Sequence, residues 1–108
     1  MEEYFYGKKA IEKAAKMFTL KPELMTAFMD FDGKVFAKGS LDVKTKELIA
    51  VACAHVTQCP YCIEGHTKRA KKAGATDEEI AEAIFVAVAM RAGGGMAHSS
   101  IAMGALEG

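Results

Sequence analysis

Residues 41–83 read LDVKTKELIAVACAHVTQCPYCIEGHTKRAKKAGATDEEIAEA, and this stretch decides the fold. Its apolar positions recur at helical period, and nothing in it alternates long enough to suggest a strand. One helix begins near Asp42, a suitable cap, and runs to about Val56. From Leu48 that helix is apolar almost all round (Leu48, Ile49, Val51, Ala52, Cys53, Ala54, Val56), the pattern of a central buried helix. Pro60 opens the next helix, which stops before Gly74. Thr76-Asp77-Glu78-Glu79 is a capping box that starts another, carrying Ile80, Ile84, Phe85 and Val88 inward.

Upstream of this stretch, one helix spans about Glu3 to Phe18. A second opens at Pro22 and ends before Gly39, with Leu24, Phe28, Phe31, Val35 and Phe36 as its apolar stripe. Downstream, Gly93-Gly94-Gly95 is expected to break the chain, leaving a last helix from roughly Met96 to Leu106. The expectation is an all-α bundle of about six helices, one domain over residues 1–108.

Fourteen Lys+Arg balance fourteen Asp+Glu, so no basic face or stripe points to nucleic acid. The N-terminal stretch lacks the continuous apolar segment of a signal peptide, and no run approaches the roughly 18 apolar residues of a membrane span. A soluble cytoplasmic protein is expected. The last quarter is unusual in carrying only one charge, Arg91, between Ile84 and Leu106, with His98 the other titratable group. Ala, Gly, Ser, Met90, Met96 and Met103 fill much of it, and a subunit interface is the favoured reading.

The chemistry gathers at Cys59-Pro60-Tyr61-Cys62, with His66 one helical turn on and Glu47 twelve residues upstream. Three cysteines are too few for a secreted disulfide framework, and in a reducing compartment a CxxC is redox-active or metal-binding more often than a static staple. Cys59 falls at a helix start, where unpaired N–H groups and the helix dipole favour a thiolate. Cys62, His66, Ala70 and Ala73 share one face. Glu47 would lie roughly 18 Å from Cys59 along one straight helix, so it reaches the site only if the chain reverses near Thr57-Gln58. That reversal would order the groups Glu47, His66, Cys62, Cys59, a plausible proton relay.

Zinc is the rival, because His55, Cys59, Cys62 and His66 read H-x3-C-x2-C-x3-H. It would make the chain a zinc-stabilised helical interaction module, although His55 would have to leave its helix to join the others. CPYC is also similar to the glutaredoxin active site. That fold needs a strand before the motif and a proline-bearing strand after it; here an apolar helix precedes it and no proline follows Pro60.

Glu47, the CxxC at Cys59 and Cys62, and His66, within residues 41–83, resemble the signature of the alkylhydroperoxidase D-like branch of the carboxymuconolactone decarboxylase family. The first forty residues and the tail resemble it only loosely. The resemblance implies an all-helical fold assembling as trimers or hexamers, with thiol peroxidase or disulfide reductase activity. It implies that Cys62 attacks peroxide, that Cys59 resolves the product to a disulfide, and that Glu47 and His66 relay protons. Substrates would be a hydroperoxide or a disulfide, with a thiol-based electron donor and no bound cofactor or metal. The helix-terminus argument favours Cys59 equally as nucleophile, so both assignments stand at this point. The cysteine pair argues against the decarboxylation of the family's name; that reaction, or mere binding of a small molecule, is the remaining alternative. Cys53 is expected to be an inert core thiol, and His55 and His98 match nothing in the motif.

Overall fold

The computed structural model describes residues 7–108. Five helices follow one another: α1 (Lys8–Leu20), α2 (Pro22–Phe36), α3 (Val43–Thr57), α4 (Pro60–Lys72) and α5 (Asp77–Glu107). No strand occurs among the described residues, so the fold is all-α as expected. The expected first turn at Glu3 lies outside the described residues. Each remaining boundary up to the capping box falls within a few residues of its sequence signal.

The chain divides into two compact units, one ending at Val43 and one spanning Lys44–Gly108. In the first, α1 and α2 contact each other. Pro22 takes the first position of α2, where its missing N–H costs nothing. Neither helix fully buries a residue, and Leu24, Phe28, Phe31 and Val35 of the expected inward stripe are exposed.

The second unit is built on a small core of Val51 from α3, Ala70 from α4, Ala75 from the following turn and Ile80 from α5, with Leu48 and Ile84 packed against it. Alanines let the helix backbones approach closely. Only Glu47, Val51 and Ala54 of α3 are buried, so α3 is not the all-round buried helix its composition suggested. Ile49, Cys53 and Val56 face outward.

The α4–α5 connection follows its residues. The Gly74 N–H donates to the Lys71 carbonyl at 3.0 Å, and the Ala75 N–H to the Ala70 carbonyl at 2.9 Å. This is the Schellman pattern, and Gly74 takes the left-handed residue at φ 99°. Thr76 Oγ1 then accepts from the Glu79 N–H at 3.1 Å while Glu79 Oε1 accepts from the Thr76 N–H at 2.8 Å. Glu79 Oε2 also pairs with Lys44 Nζ at 3.0 Å, tying the first turn of α3 to that of α5.

Beyond this point the expectation fails. Gly93-Gly94-Gly95 does not break the chain: α5 runs unbroken for 31 residues. A glycine in a helix interior costs roughly 1 kcal/mol relative to alanine but keeps its N–H, so it weakens a helix without removing a hydrogen bond as proline does. Phe85 and Val88, expected inward, are 69% and 55% exposed. No run of roughly 18 apolar residues was expected, yet an 18-residue window of α5 reaches a mean hydropathy of 1.4. By length and composition alone, α5 qualifies.

Candidate functional site

The site is made by the reversal between α3 and α4. The Ala54 carbonyl, at the end of α3, accepts from the Cys59 N–H at 3.1 Å and from Thr57 Oγ1 at 3.3 Å. Gln58 turns the chain at φ 59°, a left-handed conformation that a non-glycine residue adopts at a cost of about 1 kcal/mol. Pro60 takes the first position of α4, and Cys59 becomes its N-cap in extended conformation. The cap is unusual because its acceptor is sulfur: Cys59 Sγ accepts from the Cys62 N–H at 3.2 Å.

This arrangement separates the two thiols. Hydrogen bonding from the Cys62 side chain pulls the Cys59 pKa below its ordinary 9.0; burial opposes the shift, and the backbone N–H groups of Cys62 and Tyr61 add to it. Cys62 moves the other way, first because its thiol is the donor to Cys59, then through burial and the nearby Cys59 charge. Two thiols sharing a proton titrate as a pair, and the first ionisation of this pair resides on Cys59.

Beneath the thiols, Glu47 and His66 meet directly. His66 Nδ1 lies 2.6 Å from Glu47 Oε1, and the carboxylate accepts from the ring N–H. Glu47 is 4% exposed, the one buried charged residue recorded in the described chain. Sequence placed it at the edge of an apolar face; the structure buries it and gives it the imidazole as partner. Bonding at Nδ1 fixes the ring's orientation and puts the basic lone pair of the neutral ring on Nε2. Cys62 and His66, at i and i+4 on α4, stack one turn apart, with Cβ atoms about 5–6 Å apart in such pairs. The helical hairpin that the spacing demanded is therefore present, and no water is needed between acid and imidazole.

The zinc set does not assemble. His55 Nδ1 is 2.7 Å from the Val51 carbonyl of its own helix. Among the described residues no three His, Cys, Asp or Glu side chains converge as a metal would require. Cys53, expected in the core, is exposed, because α3 turns only its Glu47–Val51–Ala54 stripe inward. His98 is exposed on α5. Sequence reasoning gave no role to Arg91, whose Nη1 donates to the Val56 carbonyl at 2.7 Å. Its isolation as the one charge in a long apolar stretch was the available signal. A surface depression lined by Lys71, Ala75, Thr76, Asp77 and Glu78 lies at the α4–α5 turn and contains neither thiol.

An all-α chain whose helical hairpin sets a CxxC at one helix start, above a buried Glu–His pair, is a defined class of small helical protein. The carboxymuconolactone decarboxylase family model matches residues 22–105, and the chain belongs to that family. It is 58% identical over 81 residues to uncharacterized protein 4 in the cox locus of Paracoccus denitrificans, covering 75% of this chain and 73% of that protein. A solved structure from Methanobacterium thermoautotrophicum is similar with a TM-score of 0.75 at 36% identity, over 79% of this chain and 96% of that one. Another, from Thermotoga maritima, is described as a carboxymuconolactone decarboxylase family protein with possible involvement in antioxidative response. It has a TM-score of 0.60 at 38% identity, over 77% of this chain and 86% of the other.

Proposed function

We propose that this chain is a thiol oxidoreductase of the alkylhydroperoxidase D-like branch, cycling Cys59 and Cys62 between dithiol and disulfide to reduce a hydroperoxide or a disulfide. The observation that carries the reading is the split thiol pair at the start of α4 above the Glu47–His66 contact. The Thermotoga maritima relative, with its possible antioxidative role, supports it.

In the peroxide reaction Cys62, one turn above His66, is the attacking sulfur. His66 Nε2 takes its proton, and the imidazolium formed is stabilised by Glu47. The sulfur attacks the terminal peroxide oxygen, the O–O bond breaks, and the alkoxide leaves as an alcohol with the proton returned by His66. Cys62 is then a sulfenic acid. The Cys59 thiolate attacks it, and the S–S bond forms as the S–O bond breaks. The departing hydroxide takes a proton from solvent, matching the one Cys59 released on ionising, to leave as water; two electrons have passed from the two sulfurs to the peroxide. A dithiol donor restores the pair by exchange. Its thiolate attacks Cys62 and expels Cys59, the sulfur of lower pKa and the better leaving group. A disulfide substrate is reduced by the same pair in reverse.

The working protein is a cytoplasmic homo-oligomer, a trimer or hexamer, in which copies bury the apolar surface of α5. Met90, Met96, Ile101, Met103 and Leu106 are all largely exposed in the single chain, and interrupted by Arg91, His98 and serines they suit a protein interface better than lipid.

Steady-state peroxide and disulfide turnover of wild type, Cys59→Ser, Cys62→Ser and His66→Ala tests the proposal. Loss of turnover in both serine variants and slowing in His66→Ala are expected. Full activity in both serine variants would end the redox reading.

A further inference from the structure

In a continuing α-helix the Val56 carbonyl would accept from the N–H of residue 60. Residue 60 is proline and has none. Arg91 supplies the missing donor from α5, its Nη1 reaching that carbonyl at 2.7 Å. A cation on the last carbonyls of a helix also complements its dipole. The carbonyl lies three residues before Cys59, with the left-handed Gln58 between them. The neighbouring Ala54 carbonyl is the one to which the Cys59 N–H returns.

We propose that Arg91 is a positioning residue for the thiol pair, holding the last turn of α3 so that the Thr57-Gln58 reversal delivers the Cys59 sulfur to the N–H of Cys62. Arg91 acts through backbone and touches neither substrate nor sulfur. The cap distance of 3.2 Å from Cys62 N to Cys59 Sγ is sensitive to a small rotation of that reversal. Without the guanidinium, the Val56 carbonyl is left to solvent and Gln58 can relax from its left-handed conformation, swinging Cys59 off the cap. The consequence for turnover rests on the redox reading; the consequence for the Cys59 environment does not.

The test is the pH dependence of iodoacetamide alkylation, resolved by mass spectrometry at each cysteine, in wild type, Arg91→Ala, Arg91→Gln and Arg91→Lys. In Arg91→Ala the Cys59 curve should move to higher pH, with alkylation at pH 7 slowed about threefold or more, the effect of half a pKa unit on thiolate fraction. The exposed Cys53 should keep its wild-type curve, and Arg91→Lys, which retains a charged donor, should recover most of the loss. A Cys59 curve superimposable on wild type overturns the inference, as does an equal change at Cys53. If circular dichroism shows Arg91→Ala unfolded, the same outcomes are read from Arg91→Gln, which is shorter and uncharged. Peroxide turnover in the same proteins keeps the two claims apart. A wild type that reduces no peroxide or disulfide, with the Cys59 shift still seen, removes the redox reading and leaves the positioning role standing.

Discussion

Cys59 and Cys62 are chemically the same residue placed in opposite situations, and the difference comes from one hydrogen-bond direction. Cys59 accepts from both the Cys62 backbone and its thiol, so its charged form is stabilised; Cys62 donates and is held neutral. A lowered pKa moves the thiolate curve to lower pH, so Cys59 should alkylate with a midpoint below 9.0 and Cys62 with a midpoint above it. Site-resolved alkylation between pH 6 and 10 measures both, and coincident midpoints would contradict the split. Cys62→Ala keeps the backbone donor and removes the side-chain bond, so the Cys59 midpoint should rise partway. Glu47→Gln keeps the shape of the acid but not its charge. It should slow peroxide turnover about 10-fold or more if Glu47 stabilises the imidazolium, within the usual range for acid–base partners. At this scale the sequence was informative: motif spacing named all four groups and the hairpin joining them. It could not reveal that Glu47 is buried, because a carboxylate beside Val51 and Ala54 reads the same whether it faces solvent or a partner on another helix.

The helices with punctuation were legible and those without it were not. Pro22, Pro60, Gly74 and the Thr76–Glu79 box each fix a boundary through a backbone group that is missing, left-handed or capped. The Schellman glycine should be intolerant. Gly74→Ala meets nothing within 4 Å, so its cost is backbone conformation alone, about 1–2 kcal/mol by chemical denaturation. Thr76→Ala should cost about 1 kcal/mol through the lost cap. Glu79 adds an acid-sensitive contribution. Its carboxyl is held below the ordinary 4.5 first by the Thr76 N–H and then by Lys44, so this stabilisation is present above pH 4.5 and lost as pH falls through the lowered value. A Glu79→Gln variant should therefore lose less stability than wild type between pH 5 and 3. The glycine triplet misled because a glycine is only a statistical breaker. Whether three in a row end a helix depends on what packs beside them, which local sequence does not contain.

Among the described residues many large apolar side chains are exposed. Phe28 and Phe31 in the first unit, and Phe85, Met96, Ile101 and Leu106 on α5, stand largely in solvent. The buried faces expected for α2, α3 and α5 were therefore only partly found: an amphipathic or all-apolar pattern shows which residues share a face, and local sequence does not contain what packs on it. In the proposed oligomer a charge on α5 should break assembly, so Ile101→Glu is expected to sediment as a smaller species than wild type at equal concentration. An unchanged sedimentation coefficient would place the interface elsewhere. The thiol pair and its Glu–His support lie within Lys44–Gly108 of one chain. The most direct test of the central claim is to treat the reduced protein with one equivalent of hydroperoxide and locate every cysteine's state by peptide mass spectrometry. The expected result is one Cys59–Cys62 disulfide, two hydrogens lost per chain, and Cys53 still a thiol. Cys59 and Cys62 both recovered as thiols, with oxidation absent or confined to Cys53, would contradict the account.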